Sequence, residues 1–206
     1  MSTPLTRRDA QREETRRRIY IAAVEVFRRD GVEDAKIEHI VEIAGVSRGS
    51  FYFHFPTKDD VLAQAYAEAS HDLVRAIAAL PASTPVLTTL GVAVQHIATR
   101  WQGDPRIFLP VGLFAMRSVS RSFPAGEREP IRQVLTVRFR DALHRGELES
   151  GLPAELLADI FLLNAFTALL AWSGNPQISA APSLDAVVTL FLHGAARATG
   201  AISTSG

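Results

Sequence analysis

Residues 44–55 read AGVSRGSFYFHF, and inside them Gly45-Val46-Ser47-Arg48-Gly49 spells G-x-S-x-G, the pattern of a hydrolase nucleophile elbow. An elbow needs a β-strand running into a strained turn, a helix leaving it, and a histidine and a carboxylate nearby. The flanks contradict that context. Ile37, Ile40, Val41 and Ala44 recur at helical spacing, while Glu38 and Glu42 fall on the polar face of the same segment. Asp34 stands where a cap could open this helix, and Gly45 can take the left-handed conformation that closes it. Ser47 then sits at an N-cap position, its hydroxyl able to accept a backbone N–H from Gly49 or Ser50. The spacing therefore predicts a helix, a tight glycine turn and a short helix from Arg48 to His54, with Val46 filling the space between the two helices. That is a helix-turn-helix, whose second helix enters the major groove of DNA.

The pattern extends outward in both directions. Upstream, Ile19, Ala22, Ala23, Val26 and Phe27 form the apolar stripe of an amphipathic helix that Gly31 stops after Arg28 and Arg29. Downstream, Phe55 precedes Pro56 and is pushed out of the helical region. Thr57-Lys58-Asp59-Asp60 resembles a capping box opening a long helix through Leu62, Ala65, Tyr66, Ala69, Leu73 and Leu80. Beyond Pro85, five further helices are expected, separated at Gly103-Asp104-Pro105, Phe123 to Gly126, Gly146 to Pro153 and Ser173 to Pro182. No strand and no repeat is apparent. The expected fold is all-α with about nine helices: a helix-turn-helix domain over 1–59 and a larger helical ligand-binding and dimerisation domain over 60–206.

Composition narrows the function. The chain has 206 residues, 47% of them hydrophobic, enough for a substantial core without staples. With no cysteine, disulfides, thiolate metal sites and cysteine nucleophiles are excluded together. The formal net charge is zero, which argues against bulk coating of nucleic acid. Through residue 18, however, six arginines (7, 8, 12, 16, 17 and 18) face Asp9, Glu13 and Glu14, an excess of three positive charges. The arginine-rich N-terminus lacks the apolar stretch of a secretory signal. The longest apolar runs, Ile107 to Met116 and Ile160 to Trp172, fall short of the ~18 residues of a membrane span and are interrupted by Pro110 and Asn164. A soluble cytoplasmic protein is expected. The histidines at 39, 54, 71, 96, 144 and 193 show no metal-ligand spacing, and no cofactor motif is present.

Residues Thr15 through Leu62, in particular Ala22-Ala23, Phe27, Gly31, Ile40, Ala44 to Ser47, Gly49, Phe51-Tyr52, His54-Phe55 and Lys58, resemble the DNA-binding domain of the tetracycline-repressor (TetR) family. Two positions depart from it: Ala35-Lys36 stand where threonines are frequent, and Phe53 stands where a second tyrosine is frequent. Arg48, in the first turn of the recognition helix, is the candidate base reader, because a guanidinium can bond guanine O6 and N7 together. Gly49 lets the helix backbone approach closely, and Ser47 and Ser50 flank that approach with hydroxyls. The resemblance implies phosphate contacts from Tyr52 and His54, with Lys58 adding charge at a helix N-terminus and Lys36 replacing the usual threonine. Phe51 and Phe55 are expected as core plugs.

One helix-turn-helix covers a half-site, so a homodimer on a pseudo-palindromic duplex is expected. Its interface is assigned to Pro153–Trp172 and Ser183–Thr199, whose Leu156, Ile160, Leu163, Leu169, Val187, Leu190 and Phe191 exceed what one protomer core needs. Resemblance further implies a small-molecule pocket in the larger domain. Trp101, Phe108, Phe114, Met116, Phe161, Phe166 and Trp172 would line it, and His71, Gln95, His96 and Asn164 would orient the ligand. The function expected is a ligand-released transcriptional repressor. The alternatives are a serine hydrolase using Ser47 and a helical adaptor that does not bind DNA.

Overall fold

The computed structural model describes residues 6–102, 105–121, 130–175, 177 and 179–195. Among them are nine helices and no strand: α1 Arg7–Asp30, α2 Ile37–Ala44, α3 Arg48–His54, α4 Lys58–Ala78, α5 Val86–Gln102, α6 Pro105–Arg121, α7 Pro130–His144, α8 Ala154–Ser173 and α9 Ala181–Ala195. The all-α expectation holds. The expected breaks at Gly103-Asp104 and Phe123 to Gly126, and the end of the last helix beyond Ala195, lie outside the described residues.

The chain divides into two compact units. The first gathers Met1–Tyr66 with Arg106–Ala115, and the second gathers Ala67–Pro105 with Met116–Gly206. In the first, the α1 stripe Ile19, Ala22, Ala23, Val26 and Phe27 is buried together with Ile40, Ala44, Phe51 and Phe55. Each of these large side chains contributes about 1.5–3 kcal/mol of apolar burial, which is how helices as short as α2 and α3 persist. Ile107, Phe108 and Val111 of α6 are buried as part of this same unit. In the second, Leu90, Val94 and Trp101 of α5, Leu135 and Phe139 of α7, Leu157, Phe161 and Trp172 of α8, and Leu184 of α9 are buried. Phe139, Phe161 and Phe191 close a triad of rings with centroids 5.4–6.3 Å apart.

Several helix ends differ from the sequence reading. Lys36, not Asp34, occupies the N-cap of α2, and no side chain caps that end. Pro182 lies inside the first turn of α9, where a missing N–H costs nothing, instead of ending the loop before it. Pro110 does not interrupt α6, which continues through it. α8 also departs from the count of unbroken apolar runs: its 20 residues, with a mean hydropathy of 1.7 over the richest window, are long and apolar enough to cross a membrane by length and composition. A third of that window is buried inside the protomer.

Candidate DNA-binding site

The site is built from α1, α2 and α3 by capping chemistry. Gly45 ends α2 at φ +63°, ψ 44°, the left-handed conformation that non-glycine residues resist, and turns the chain toward α3. Ser47 opens α3, its Oγ accepting the Ser50 N–H at 3.1 Å. The elbow pattern is thereby accounted for: the segment before Ser47 is a helix and a turn, and its hydroxyl is used as a cap. Phe51, fully buried, stacks edge-on against Tyr52 at 5.4 Å and lies 6.2 Å from Phe55, so the face that carries Phe51 and Phe55, four residues apart, is anchored in the core.

The opposite face looks outward. Arg48 and Gly49 are exposed, Tyr52 is 45% exposed and Phe53 65%. Gly49 is informative, because a Cβ added there would meet only Ser47 Oγ at 3.8 Å, an ordinary contact. Nothing inside the chain requires glycine, and glycine within a helix costs about 1 kcal/mol relative to alanine. Arg48 Nη1 lies 2.8 Å from Glu38 Oε1 on α2. Lys36 is exposed at the start of α2, and Ser50 is half-buried.

Two expected phosphate contacts have other engagements. His54 is 9% exposed, its ring edge-on to Phe53 at 5.1 Å. Burial first, then the nearby Arg12 and Arg16 guanidinium groups, hold its imidazole below the ordinary value of 6.5. Lys58 Nζ donates to the Val32 and Glu33 carbonyls at 2.7 and 2.9 Å, tying the start of α4 to the loop after α1. Thr57 and Asp60 form the expected capping box, the Thr57 N–H donating to Asp60 Oδ2 at 2.8 Å and the Asp60 N–H to Thr57 Oγ1 at 3.3 Å.

The sequence reading missed what the α1 arginines do. Arg18 Nε donates to the Ala44 carbonyl at 3.2 Å and its Nη2 donates to the carbonyls of Ala44 and Gly45, covering the C-terminal end of α2. Arg16 Nη1 donates to the His54 carbonyl at the end of α3 at 2.6 Å, with its guanidinium 4.2 Å from the Phe55 ring centroid. Arg12 lies 5.0 Å from the Phe53 ring centroid. These cations sit at negative helix ends, where charge and carbonyl acceptors coincide. The available signal was that α2 carries no basic residue in its own last turn. Arg106 repeats the device at α1, donating to the Arg28 and Arg29 carbonyls at 3.2 and 3.3 Å.

The expected ligand set disperses. Phe108 and Phe114 fall in the first unit, whereas Trp101, Met116, Phe161, Phe166 and Trp172 fall in the second. Phe161 is taken up by the ring triad and Trp172 is 2% exposed. His71, Gln95 and Met116 are exposed and His96 half-buried. Asn164 is exposed too, its Nδ2 donating to the Ile160 carbonyl at 2.7 Å, so no buried amide seeks a partner there. An open groove of about 600 Å³ lies between the end of α4 and α7, lined by Val74, Ala78, Val134, Val137 and Arg138 among others, and contains none of the expected ligand residues. Arg138, 9% exposed, donates to the Ile77, Leu80 and Pro81 carbonyls at 2.6–2.7 Å and so closes the end of α4. Among the described residues no group of three histidines or carboxylates could hold a metal ion.

A glycine-turned helix pair with an outward arginine at the first position of the second helix defines a helix-turn-helix DNA-binding domain. Residues 19–65 match the family model described as bacterial regulatory proteins, tetR family. The chain is 48% identical over 64 residues to the transcriptional regulator SrpR of Pseudomonas putida, covering 31% of this chain and 30% of that protein. It is 42% identical over 57 residues to the transcriptional repressor BepR of Brucella suis biovar 1, covering 28% and 27%. The match thus spans about a third of these relatives. The fold is similar over most of the chain to FadR of Thermus thermophilus, a TetR-family repressor solved with lauroyl-CoA: TM-score 0.64, 22% identity, 93% of this chain and 100% of that one. SmeT of Stenotrophomonas maltophilia, the repressor of a multidrug efflux pump, gives a TM-score of 0.66 at 18% identity over 93% and 96%.

Proposed function

We propose that this protein is a cytoplasmic transcriptional repressor that binds a palindromic operator as a homodimer and is released by a small-molecule effector. The observation that carries the reading is the outward face of α3, where Arg48 stands free of the core beside a glycine that nothing inside the chain requires. Lys36, Ser47, Ser50 and Tyr52 extend that face, and the remaining edges of His54 and Lys58 complete the contact set. DNA binding is assigned to residues 1–59, ligand binding and dimerisation to 60–206.

The dimer is supported by α8. Leu169 and Phe191 are buried within the protomer, but Leu156, Leu163 and Leu170 are 40%, 56% and 41% exposed at seven-residue intervals, and Leu190 of α9 is 71% exposed. A helix apolar on every side needs a second partner for the side its own protomer leaves open. In the dimer the two α3 helices would lie about one turn of DNA apart, roughly 34–36 Å.

An effector that weakens operator binding a hundredfold has to prefer the non-binding conformer by ~2.7 kcal/mol. The acyl-CoA and triclosan complexes of the structural relatives support an effector with a large apolar part. Of the expected lining, Trp101, Met116 and Phe166, with His71, Gln95 and His96, fall within the second unit and are the residues proposed to meet the effector. Selection of bound duplexes from a random pool tests the reading. An inverted repeat with salt-sensitive retention is expected, and failure to enrich any sequence would refute it.

A further inference from the structure

We propose that Glu38 is a specificity-determining residue of the DNA-binding site: its carboxylate holds Arg48 ready for a guanine edge and opposes capture of that arginine by a phosphate. The proposal rests on the DNA-binding reading above and gives a role to α2, outside the recognition helix. Glu38 Oε1 lies 2.8 Å from Arg48 Nη1, with the two side chains 56% and 61% exposed. Among the described residues Glu38 is the partner of that guanidinium. An ion pair so exposed adds little to folding, because water screens it and two long side chains lose rotamer freedom in forming it. What the pair does is fix an arginine that would otherwise sample many rotamers beside the positive end of its own helix.

The geometry is selective. Glu38 engages one terminal nitrogen and leaves the rest of the planar fork for a second set of acceptors. Guanine N7 and O6 are neutral, so Arg48 bonds them while keeping Glu38. A phosphate at the same edge is an anion brought close to the carboxylate, and the two repel. Glu38 therefore taxes sequence-blind backbone binding more than base reading. Its place in the first turn of α2 also suits a carboxylate, since that helix end is positive and no side chain caps it.

The test uses the full chain. Wild-type protein selects its duplex from a random pool, and Kd is measured for that duplex and for a scrambled one of equal length over a salt series. Glu38→Gln keeps the size and removes the charge. Its affinity for scrambled DNA is expected to rise about threefold to tenfold and the selected-to-scrambled ratio to fall about tenfold. Its Tm is expected to stay within ~2 °C of wild type. Equal tightening on both duplexes, with the ratio unchanged, would reduce Glu38 to bulk charge and overturn the proposal. Glu38→Asp keeps the charge but withdraws it from Nη1, so affinity for the selected duplex should fall with no gain on the scrambled one; a gain there also overturns the proposal. A wild type that selects no duplex refutes the DNA-binding reading itself, whereas a selected duplex with an unaltered ratio in Glu38→Gln sinks this proposal alone.

Discussion

Arg48 and Lys58 are both cations at the start of a helix, yet their surroundings give them different work. Arg48 is held by one exposed carboxylate, which leaves the rest of its guanidinium open. Lys58 is held by two backbone carbonyls of the loop after α1, one of these bonds part-buried and so less screened by water than the exposed Arg48 pair. Arg48→Ala is therefore expected to lose ~1–3 kcal/mol on the selected duplex with relaxed base preference and an unchanged melting curve. Lys58→Met is expected to lower folding stability by about 1–3 kcal/mol, read by chemical denaturation. A Lys58→Met protein of full stability that loses only the salt dependence of binding would leave Lys58 the role of a phosphate contact alone. His54 adds a pH dependence. Its pKa is depressed in the folded state, so the unfolded chain takes up a proton first as pH falls below 6.5. Stability is then full above that value and declines from it down to the depressed folded value. Thermal melts at pH 7.5 and 5.5 should show this loss, and His54→Gln should flatten the part due to His54.

Among the elements, α2 and α3 are too short to be stable alone, and what holds them is chemistry at their ends as much as their apolar faces. Ser47 satisfies an N–H at the start of α3, Gly45 makes the turn, and Arg18 and Arg16 reach across from α1 to carbonyls at the other ends. The orientation of α3 is thus fixed in part by side chains of α1. Arg18→Ala is expected to cost about 1.5–3 kcal/mol, since it removes charged hydrogen bonds to the Ala44 and Gly45 carbonyls. It is also expected to weaken binding to selected and scrambled duplexes alike by disturbing the turn. Circular dichroism melts and duplex titration together check this: a stable variant with altered base preference would mean that Arg18 reads DNA itself. The same device recurs where Arg106 caps α1 and where Arg138 and Arg145 reach the carbonyls after α4.

At the scale of the whole molecule, α8 carries the proposed assembly. Its composition alone would suit a membrane, but one side is packed against its own protomer and the other presents leucines at heptad spacing with Asp159 and Asn164 among them. A second copy of the chain covers such a face more readily than lipid, because the charged Asp159 is already paired with Arg132 at the edge. Leu163→Glu places a charge in the middle of that face. Sedimentation is expected to show a dimer for wild type at micromolar concentration and a monomer for this variant, with affinity for the palindromic duplex reduced at least tenfold. A wild-type monomer, or a Leu163→Glu dimer, would move the interface elsewhere.

The sequence by itself determined the helical class, the order and spacing of the first four helices, and the turn of Gly45 and cap of Ser47, because these follow from periodicity and from contacts between residues close along the chain. It also separated Phe51 and Phe55, buried, from Arg48 and Gly49, exposed, since a seven-residue helix has only two sides to offer. Only the tertiary structure decided that Arg16 and Arg18 clamp helix ends, that Lys58 is tied to Val32 and Glu33, that His54 is enclosed, and that Glu38 meets Arg48. It also drew Phe161 into a ring triad and left Asn164 outside. The reason is common to all of them: a long or polar side chain has several partners of equal chemistry available, and which one it reaches is fixed by the packing of segments distant in sequence, which no local pattern encodes.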